Sequence, residues 1–501
     1  MQDVLSAKNM ANCDKATIES GTPSVVLMQR AAKSIFDAHD FKGKIYIICG
    51  KGNNGGDGVA LADIMTDKGM EPFVYLIDEN ISQDSRYFYD RLTAKGYTKI
   101  YGISECDYDA DIIVDCIFGT GFKGEPKGIY AQVIDGINKS RAYKISADIP
   151  SGLNADNGRF TLCVKADKTV SMQFAKSGHY LNDGKDMTGK LIVADIGIGL
   201  VKQEYKLIEK QDVKALFPPR KANTHKGSYG KSALLGGCTN YAGALKLANT
   251  GLCALRSGGG LNMLIVPKSL APVYAQAVNE STLYPMTDKD GYMLFDKSEI
   301  GKALKGVDCL AIGMGIGGNY EENHKIVEYI IKNYAISVII DADGLNSLAL
   351  NPDILKDANA KILITPHVKE MSRLTERQVS QILDDPINTA KDFADKYGIT
   401  VLLKGATTVV TDGREVYLIA NGGAELSKGG SGDVLSGVIA GLVSQGNTLI
   451  KSAYAGAYLT AYTAKKLVEE YSQYGVLPSD VAKAVAQIIK EDYHQYKEYR
   501  I

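Results

Sequence analysis

Short apolar, β-branched runs alternate with helix-like segments between residues 44 and about 197. The runs read KIYIIC, PFVYLI, DIIVDCIFG, YKISADIP, KTVSMQ and KLIVADIGIG. Near-continuous apolar strands separated by helices are typical of a parallel sheet that is covered on both faces. This half of the chain is therefore predicted to form a three-layer α/β/α domain.

The alternation of apolar runs and helix-like segments begins again after residues 211–231, where the composition changes. This segment, QDVKALFPPRKANTHKGSYGK, contains two prolines and five basic residues, and it is predicted to lead into a second domain. The strand-like runs that follow it are SALLGG, LNMLIVP, DCLAIGMG, SVIIDADG, KILITPH and TVLLKG. The runs TTVV and EVYLIA then flank Asp412-Gly413, which indicates a β-hairpin, and a long helical pattern follows. We expect two α/β domains, at residues 1–212 and 213–501.

The composition favours a protein that works on small molecules in the cytoplasm. Its 57 basic and 58 acidic residues give a formal net charge of −1, so no large excess field would recruit nucleic acid or an anionic membrane. No run approaches the about 18 apolar residues of a membrane span. The eight cysteines show no C-x-x-C spacing and are predicted to be buried free thiols in a reducing cytosol; they are residues 13, 49, 106, 116, 163, 238, 253 and 309.

Polar clusters follow three of the predicted N-terminal strands. The first, GKGNNGGDG at residues 50–58, matches the G-x-G-x-x-G dinucleotide fingerprint but adds Asn53, Asn54 and Asp57, which that fingerprint does not need. The other two are DCIFGTGFKGEP and DIPSG. Because ligands bind at the carboxyl ends of parallel strands, the three clusters are expected to converge. Their oxygens would suit a hard cation or a sugar hydroxyl.

These three motifs, with GTPSVVLMQRAA before them, resemble the YjeF N-terminal domain family, the NAD(P)HX epimerases, over roughly residues 1–212. The resemblance implies a Rossmann-like domain that interconverts the R and S epimers of hydrated NADH and NADPH (NADHX and NADPHX). It implies a potassium ion held by Asn54, Asp115 and Ser151, and Asp148 as the proton-handling carboxylate. It also implies substrate contacts from Asn53, Asn54, Gly55, Gly56, Asp57, Gly119, Thr120, Gly121, Phe122, Lys123, Gly124, Glu125 and Asp148.

The strongest C-terminal pattern is NGGAELSKGGSGDVLSG at residues 421–437. Its glycines run into an apolar helix, and such a helix N-terminus binds anions through free N–H groups and the helix dipole. Asp433 at that helix start is well placed to take a proton from a hydroxyl that attacks a phosphoryl group. KGATT, GMGIGG, DADGLN and TPHVKEM add polar or glycine-rich strand ends. The pattern predicts phosphoryl transfer from a nucleotide.

Together these motifs resemble the ADP- or ATP-dependent NAD(P)H-hydrate dehydratases, a branch of the ribokinase-like superfamily, over about residues 220–495. The resemblance implies a ribokinase-like α/β domain that uses ADP with Mg²⁺, and a homo-oligomer of four or more chains. Substrate contacts would come from Ala242, Gly315, His367 and Asp433, with Asp433 as the catalytic base. Nucleotide contacts would come from Lys404, Gly405, Ala406, Thr407, Thr408 and Gly432.

The chain departs from the dehydratase pattern at two places. Val368 and Lys369 replace the usual Pro-Gly and predict a less tight turn after His367, while Glu425 and Lys428 occupy a loop that is commonly apolar or small. Two alternatives to nicotinamide nucleotide repair stay open at this point. One is a small-alcohol or vitamin-precursor kinase fused to a Rossmann-like nucleotide-binding domain. The other is a non-catalytic module that scaffolds RNA-processing factors.

Overall fold

The computed structural model describes residues 1–250 and 256–493. The chain divides into two compact units, one of residues 3–205 and one of residues 1–2 with 206–501. The predicted boundary at residues 212/213 lies within the helix Lys210–Lys214, in the second of these units.

The first unit contains a seven-stranded sheet in which all neighbouring strands are parallel. In spatial order the strands are Ile100–Gly102, Phe73–Leu76, Ile45–Cys49, Ile112–Cys116, Tyr143–Ala147, Lys168–Met172 and Lys190–Ala194. The strand Gln2–Leu5 pairs through Val4 and Leu5 with Ala175–Lys176. The helices are Ala7–Glu19, Ser24–Asp37, Asn53–Asp67, Gln83–Ala94, Ile129–Lys139 and Gly184–Thr188. Apolar side chains pack on both faces of the sheet, which confirms the predicted three-layer arrangement.

The polar residues of the first cluster belong to a helix, because Asn53–Asp67 begins directly after Gly52. Asn53, Asn54 and Asp57 therefore lie in the first turns of a helix. Glycine at the N-cap position has no side chain to occupy the free N–H groups, so these donors stay available to a ligand.

The second unit contains a mixed sheet. Its strands, in spatial order, are Thr282–Met286, Leu261–Pro267, Lys231–Leu235, Cys309–Ile312, Ser337–Ile340, Lys361–Ile364, Thr400–Leu403, Thr408–Thr411, Val416–Ile419 and Tyr205–Leu207. Neighbours are parallel as far as Thr400–Leu403. The next two strands pair antiparallel, which confirms the hairpin at Asp412-Gly413. Asp288–Lys289 and Tyr292–Met293 form a separate small hairpin.

The helices of the second unit cover this sheet and include the predicted long helical segment. They are Lys210–Lys214, Ala242–Asn249, Ala271–Ala275, Lys297–Ala303, Tyr320–Asn333, Asp343–Leu348, Val368–Thr375, Val379–Asp384, Pro386–Tyr397, Ser431–Ser444, Leu449–Gly475 and Pro478–Ile488. Ser431–Ser444 is almost entirely buried, in agreement with its apolar sequence. No helix within the described ranges is both long and apolar enough to cross a membrane.

The predicted cysteine environments are confirmed for six residues and wrong for one. Cys13, Cys49, Cys116, Cys163, Cys238 and Cys309 are free and buried. Cys106 is only half-buried, because it follows the short turn Ile103–Glu105 beside the edge strand of the first sheet. Cys253 lies outside the described residues.

Candidate functional site

A cavity of about 580 Å³ lies in the first unit, where the strands Ile45–Cys49, Ile112–Cys116 and Tyr143–Ala147 end. All three predicted polar clusters contribute to its wall. The predicted residues in the wall are Asn53, Asn54, Asp57, Gly119, Thr120, Gly121, Phe122 and Asp148. The rings of Phe118 and Phe122 stack in this wall with their centroids 4.1 Å apart. The strand-end rule thus brings together most of the predicted substrate contacts.

The other predicted substrate contacts of this unit are not in the cavity wall. Lys123, Gly124 and Glu125 are exposed. Gly55 and Gly56 are buried and allow close packing instead: a Cβ atom on Gly55 would lie 1.8 Å from the Gly50 carbonyl oxygen. Gly55 lets the helix approach the preceding strand end, and Gly56 makes room for the side chains of Met28 and Ser85.

The cavity also contains residues that the motifs did not reveal. The N-terminal helix contributes Asp14, and the short strand Ala175–Lys176 contributes Lys176. Apolar side chains complete the wall; they include Met10, Leu27, Met28, Ile196 and Ile198. Lys176 stands three positions after the predicted strand run KTVSMQ, and no motif of this segment indicated it.

Asp148 is held by an unusual local structure. Its backbone has φ +65°, a left-handed conformation that costs a non-glycine residue energy and is often found at functional sites. The Lys176 ammonium donates to Asp148 Oδ1 and also to Ser171 Oγ at 3.0 Å. Burial opposes ionisation of Asp148, but the Lys176 charge outweighs it and holds the Asp148 pKa below its usual value. Asp148 is therefore a carboxylate at neutral pH.

His179 supports the Asp148 backbone. Its Nδ1 accepts from the Lys176 N–H at 3.1 Å, so Nε2 carries the proton and donates to the Asp148 carbonyl at 3.0 Å. Burial lowers the His179 pKa to about 3. The ring is neutral and acts as a fixed hydrogen-bonding group.

The three predicted potassium ligands, Asn54, Asp115 and Ser151, are all buried. The amide oxygen and nitrogen of Asn54 are buried and have no hydrogen-bond partner among the described residues. Ser151 Oγ donates to Asp115 Oδ1 and accepts from the Phe118 N–H at 2.8 Å, while Gly119, next along the chain, packs beside Asn54. A buried amide oxygen without a donor is a group that a hard cation would satisfy, whereas both Asp115 oxygens already accept hydrogen bonds from Ser146, Ser151 or Ile117.

In the second unit, Asp341 and Lys404 form an ion pair beside the glycine-rich helix start. Lys404 Nζ lies 2.9 Å from Asp341 Oδ1, and Ser436 Oγ donates to Asp341 Oδ2 at 2.8 Å. A Cβ atom on Gly432 would lie 3.4 Å from Lys404 Nζ. Burial opposes ionisation of Asp341, but the Lys404 charge keeps its pKa below the usual value. Because Gly432 has no side chain, the space beside the Lys404 ammonium group stays free.

Asp433 lies in the first turn of the helix Ser431–Ser444. Burial and the charge of Asp341 raise the Asp433 pKa to about 7. Gly430 before it adopts φ +100°, and a Cβ there would lie 2.4 Å from Leu247 Cδ1, so this position requires glycine. A general base is most effective when its pKa is near the working pH, which fits the predicted role of Asp433.

The remaining predicted contacts surround this centre. Lys404 pairs as an isolated β-bridge with His367, and Gly405 to Thr408 follow it into the hairpin, with Thr407 buried. Gly315 packs against the start of the helix that contains Ala242: a Cβ on Gly315 would lie 2.6 Å from the Tyr241 carbonyl oxygen. The structure therefore places each predicted contact at a strand or helix end of this unit.

Both departures from the dehydratase pattern have structural roles. After His367 the chain does not loosen: Val368 begins a helix, His367 Nδ1 accepts from the Glu370 N–H, and the Glu370 carboxylate accepts from the His367 N–H at 2.8 Å. Lys428 donates to the carbonyl oxygens of Tyr474 and Val476. It thereby ties the glycine-rich loop to the end of the long helix.

Within residues 1–250 and 256–493, no three His, Cys, Asp or Glu side chains are grouped so that they could hold a metal ion by themselves. This arrangement is compatible with Mg²⁺, which is usually bound by one or two carboxylates together with nucleotide phosphates and water. The charges of Asp341 and Asp343 act on Asp433 beside the glycine-rich helix start.

Fold and site together define a two-part enzyme, with a Rossmann-like unit followed by a ribokinase-like unit. The family model for NAD(P)H-hydrate dehydratase matches residues 232–487, and that for the YjeF-related protein N-terminus matches residues 24–178. The chain belongs to the family of bifunctional NAD(P)H-hydrate repair enzymes.

The relatives extend over the full chain. A bifunctional NAD(P)H-hydrate repair enzyme from Moorella thermoacetica is 33% identical over 97% of this chain and 96% of its own. A second, from Dictyoglomus turgidum, is 32% identical over 94% and 95%. A ribokinase-like superfamily protein from Enterococcus faecalis has the fold of the second unit, with TM-score 0.51 and 20% identity over 59% of this chain and 99% of its own. These comparisons do not support the kinase alternative.

Proposed function

We propose that this protein repairs hydrated nicotinamide nucleotides in two reactions. The N-terminal unit interconverts R- and S-NAD(P)HX, and the C-terminal unit dehydrates S-NAD(P)HX to NAD(P)H, converting ADP to AMP and phosphate. The observation that carries the proposal is the match of both domain models within one chain whose relatives are similar over its whole length. The two reactions act on successive forms of one molecule.

In the N-terminal unit, Asp148 takes up and returns the hydroxyl proton at the hydrated carbon as the ring opens and closes. Its ionised state and its position in the cavity wall support this role. Asn54, Asp115 and Ser151 hold a potassium ion, which supplies fixed positive charge for the substrate's polar groups. The buried Asn54 amide oxygen without a donor supports that site. The free N–H groups of the helix Asn53–Asp67 face the dinucleotide phosphates.

In the C-terminal unit, Asp433 deprotonates the substrate hydroxyl so that it attacks the terminal phosphoryl group of ADP. Lys404 and the helix start at Gly432 bind the nucleotide phosphates, and Ala242, Gly315 and His367 contact the hydrate. Magnesium bound with the nucleotide neutralises phosphate charge. Phosphate then leaves, and loss of the adjacent ring proton restores the dihydronicotinamide double bond.

The proposal includes the location of the enzyme, its partners and its oligomeric state. We place the enzyme in the cytoplasm, where its nucleotides are found, with no nucleic-acid or membrane partner. We also infer a homo-oligomer of four or more chains, in line with the family resemblance. Size-exclusion chromatography with light scattering measures this: a monomer at assay concentration would contradict it.

The function is tested by incubating separately purified R and S hydrates of NADH with the protein, ADP and Mg²⁺. We expect the dihydronicotinamide absorbance to return from both epimers. Asp433→Asn should abolish recovery from both, whereas Asp148→Asn should abolish enzymatic recovery from the R epimer and spare the S epimer. The proposal is wrong if neither ADP nor ATP supports recovery from the S epimer.

A further inference from the structure

The cavity of the first unit contains two carboxyl groups with opposite surroundings. Asp148 follows the strand Tyr143–Ala147, and Asp57 lies on the second turn of the helix Asn53–Asp67. When two titratable groups in one pocket have environments that separate their protonation states, the pair divides the roles of acid and base.

Among the described residues, hydrogen bonds reach one oxygen of Asp148, Oδ1. Oδ1 accepts from the Lys176 ammonium and from the Met172 N–H at 3.2 Å. Oδ2 instead faces the turn at Gly119: a Cβ atom built on Gly119 would lie 3.8 Å from Asp148 Oδ2. Because Lys176 is fully buried and also bonded to Ser171 Oγ and to the Met172 carbonyl, it cannot follow the carboxylate if the latter rotates. Lys176 therefore fixes which Asp148 oxygen faces the cavity.

Asp57 has the reverse environment. Within the described ranges, burial and two other acids act most strongly on its carboxyl group, with no hydrogen-bond donor or cation among the main influences. Its ionisable neighbours are acids: Asp148, Asp14 on the N-terminal helix and the thiol of Cys49. Burial, followed by the charges of Asp148 and Asp14, raises the Asp57 pKa well above its usual value. Protonation of Asp57 is thus favoured, whereas Lys176 favours the ionised form of Asp148.

We propose that Asp57 is the proton donor of the epimerisation, with Asp148 Oδ2 as the proton acceptor and Lys176 as the residue that positions it. This inference rests on the proposed function of the N-terminal unit. It adds a second catalytic residue and a positioning residue to Asp148.

The step balances without a co-reactant. The hydrated carbon is bonded to a hydroxyl and to the ring nitrogen. Asp148 takes the hydroxyl proton, the O–H electron pair forms a carbonyl, and the bond from carbon to ring nitrogen breaks while the nitrogen takes a proton from Asp57. The open aldehyde rotates to present its other face. The nitrogen then attacks that face and returns its proton to Asp57, while the oxygen recovers its proton from Asp148.

Several other titratable groups surround Asp57 and Asp148 and can influence how the epimerisation rate depends on pH. Besides the two aspartates and Lys176, the groups facing the cavity or acting on Asp57 and Asp148 are Asp14, Cys49, Lys51, Asp84, Cys116 and His179. His179 is neutral, and burial raises the pKa of the thiol groups of Cys49 and Cys116. The carboxyl groups with perturbed pKa values in this set are those of Asp14, Asp57 and Asp148.

The test follows conversion of the R to the S epimer without ADP, with the two epimers separated by chromatography and the uncatalysed rate subtracted. The variants of the full chain are Asp57→Asn, Asp57→Glu, Lys176→Met and Lys176→Arg, with the exposed Asp90→Asn as the matched control. Thermal unfolding and dehydration of pure S hydrate with ADP report whether each variant is folded.

We expect Asp57→Asn to lower kcat about 100-fold or more with KM little changed, and to remove the loss of rate at high pH, whereas Asp57→Glu restores part of kcat. Lys176→Met should move the acidic limb of the pH profile up by about one pH unit or more, and Lys176→Arg should reverse most of that shift. A rise in KM with wild-type kcat for Asp57→Asn, or an unmoved acidic limb for Lys176→Met, would overturn the inference. A wild-type chain that does not interconvert the epimers would instead refute the proposed function itself.

Discussion

Replacing Lys404 by methionine should destabilise the C-terminal unit and reverse part of its pH dependence. Asp341 is 1% exposed, and its side chain pairs with Lys404 Nζ at 2.9 Å and Ser436 Oγ at 2.8 Å. Lys404→Met leaves the Ser436 hydrogen bond but removes the cation that compensates the buried charge in the described part of the chain. Removing one partner of a buried ion pair costs about 3–5 kcal/mol. At about 2 °C per kcal/mol, this lowers the unfolding temperature by roughly 6–10 °C.

The pH dependence gives the sharper test. In the native chain the Asp341 pKa is depressed, so its contribution to stability is present above the usual carboxyl range and is lost as pH falls through the folded value. In Lys404→Met, burial without the cation raises the Asp341 pKa above its unfolded value. Its contribution is then present in acid and is lost as pH rises. The stability deficit of the variant should therefore grow between about pH 5 and about pH 8.

The assay is urea unfolding of the full chain, followed by circular dichroism at both pH values, with the unfolding of each unit fitted separately. The control is the double variant Lys404→Met/Asp341→Asn, which removes the buried charge together with its partner. It should recover most of the lost free energy without recovering dehydratase activity, because the nucleotide contact at Lys404 remains absent. A deficit that is independent of pH, or a double variant as unstable as the single one, would refute this reasoning.

Three further predictions concern both sites. Gly55→Ala should prevent stable folding of the N-terminal unit, because its Cβ would lie 1.8 Å from the Gly50 carbonyl oxygen. Gly52→Ala is the control: its Cβ has no atom within 4 Å, so this variant should unfold at the wild-type temperature. Thermal unfolding of both variants tests this prediction. The kcat/KM for dehydration of S hydrate should rise with pH through about 7, because the Asp433 base must be ionised; a rate that falls over this range would exclude that role. Exchanging potassium for lithium should slow epimerisation but not S-hydrate dehydration, because Asn54 lies in the wall of the N-terminal cavity. Stopped assays measure the rates of the two reactions, and an equal loss of both rates would contradict this prediction.

The fold could be predicted because both units are built on parallel sheets. Their buried strands appear in the sequence as apolar runs, and the runs from KIYIIC to TVLLKG all contain strands of the structure. Short strands such as Ile100–Gly102 and Thr282–Met286 were missed, because edge positions in the sheets relax the demand for a continuous apolar run. The start of the helix at Asn53 was also missed, since two asparagines and two glycines are weak helix formers.

The candidate sites could be predicted only where function follows a strand directly. Asn54, Asp57 and Asp148 come from such positions, and the strand-end rule is enough to bring them together. Asp14 lies on a helix more than 40 positions before the first motif aspartate, and Lys176 belongs to a two-residue strand, so no local pattern connects either residue with the cavity. Pairing of Lys404 with Asp341 depends on which strands are neighbours, and that information is absent from each motif.

The stacked rings of Phe118 and Phe122 also offer a position for a fluorescent reporter in the wall of the N-terminal cavity. The chain contains no tryptophan, so Phe122→Trp would introduce the only indole into a cavity wall that already has an aromatic partner for it. Reduced and hydrated nicotinamide rings differ in absorbance, and energy transfer from that single indole would distinguish them as they bind. Occupancy of the epimerase cavity could then be followed by fluorescence in the intact chain while the second unit turns over.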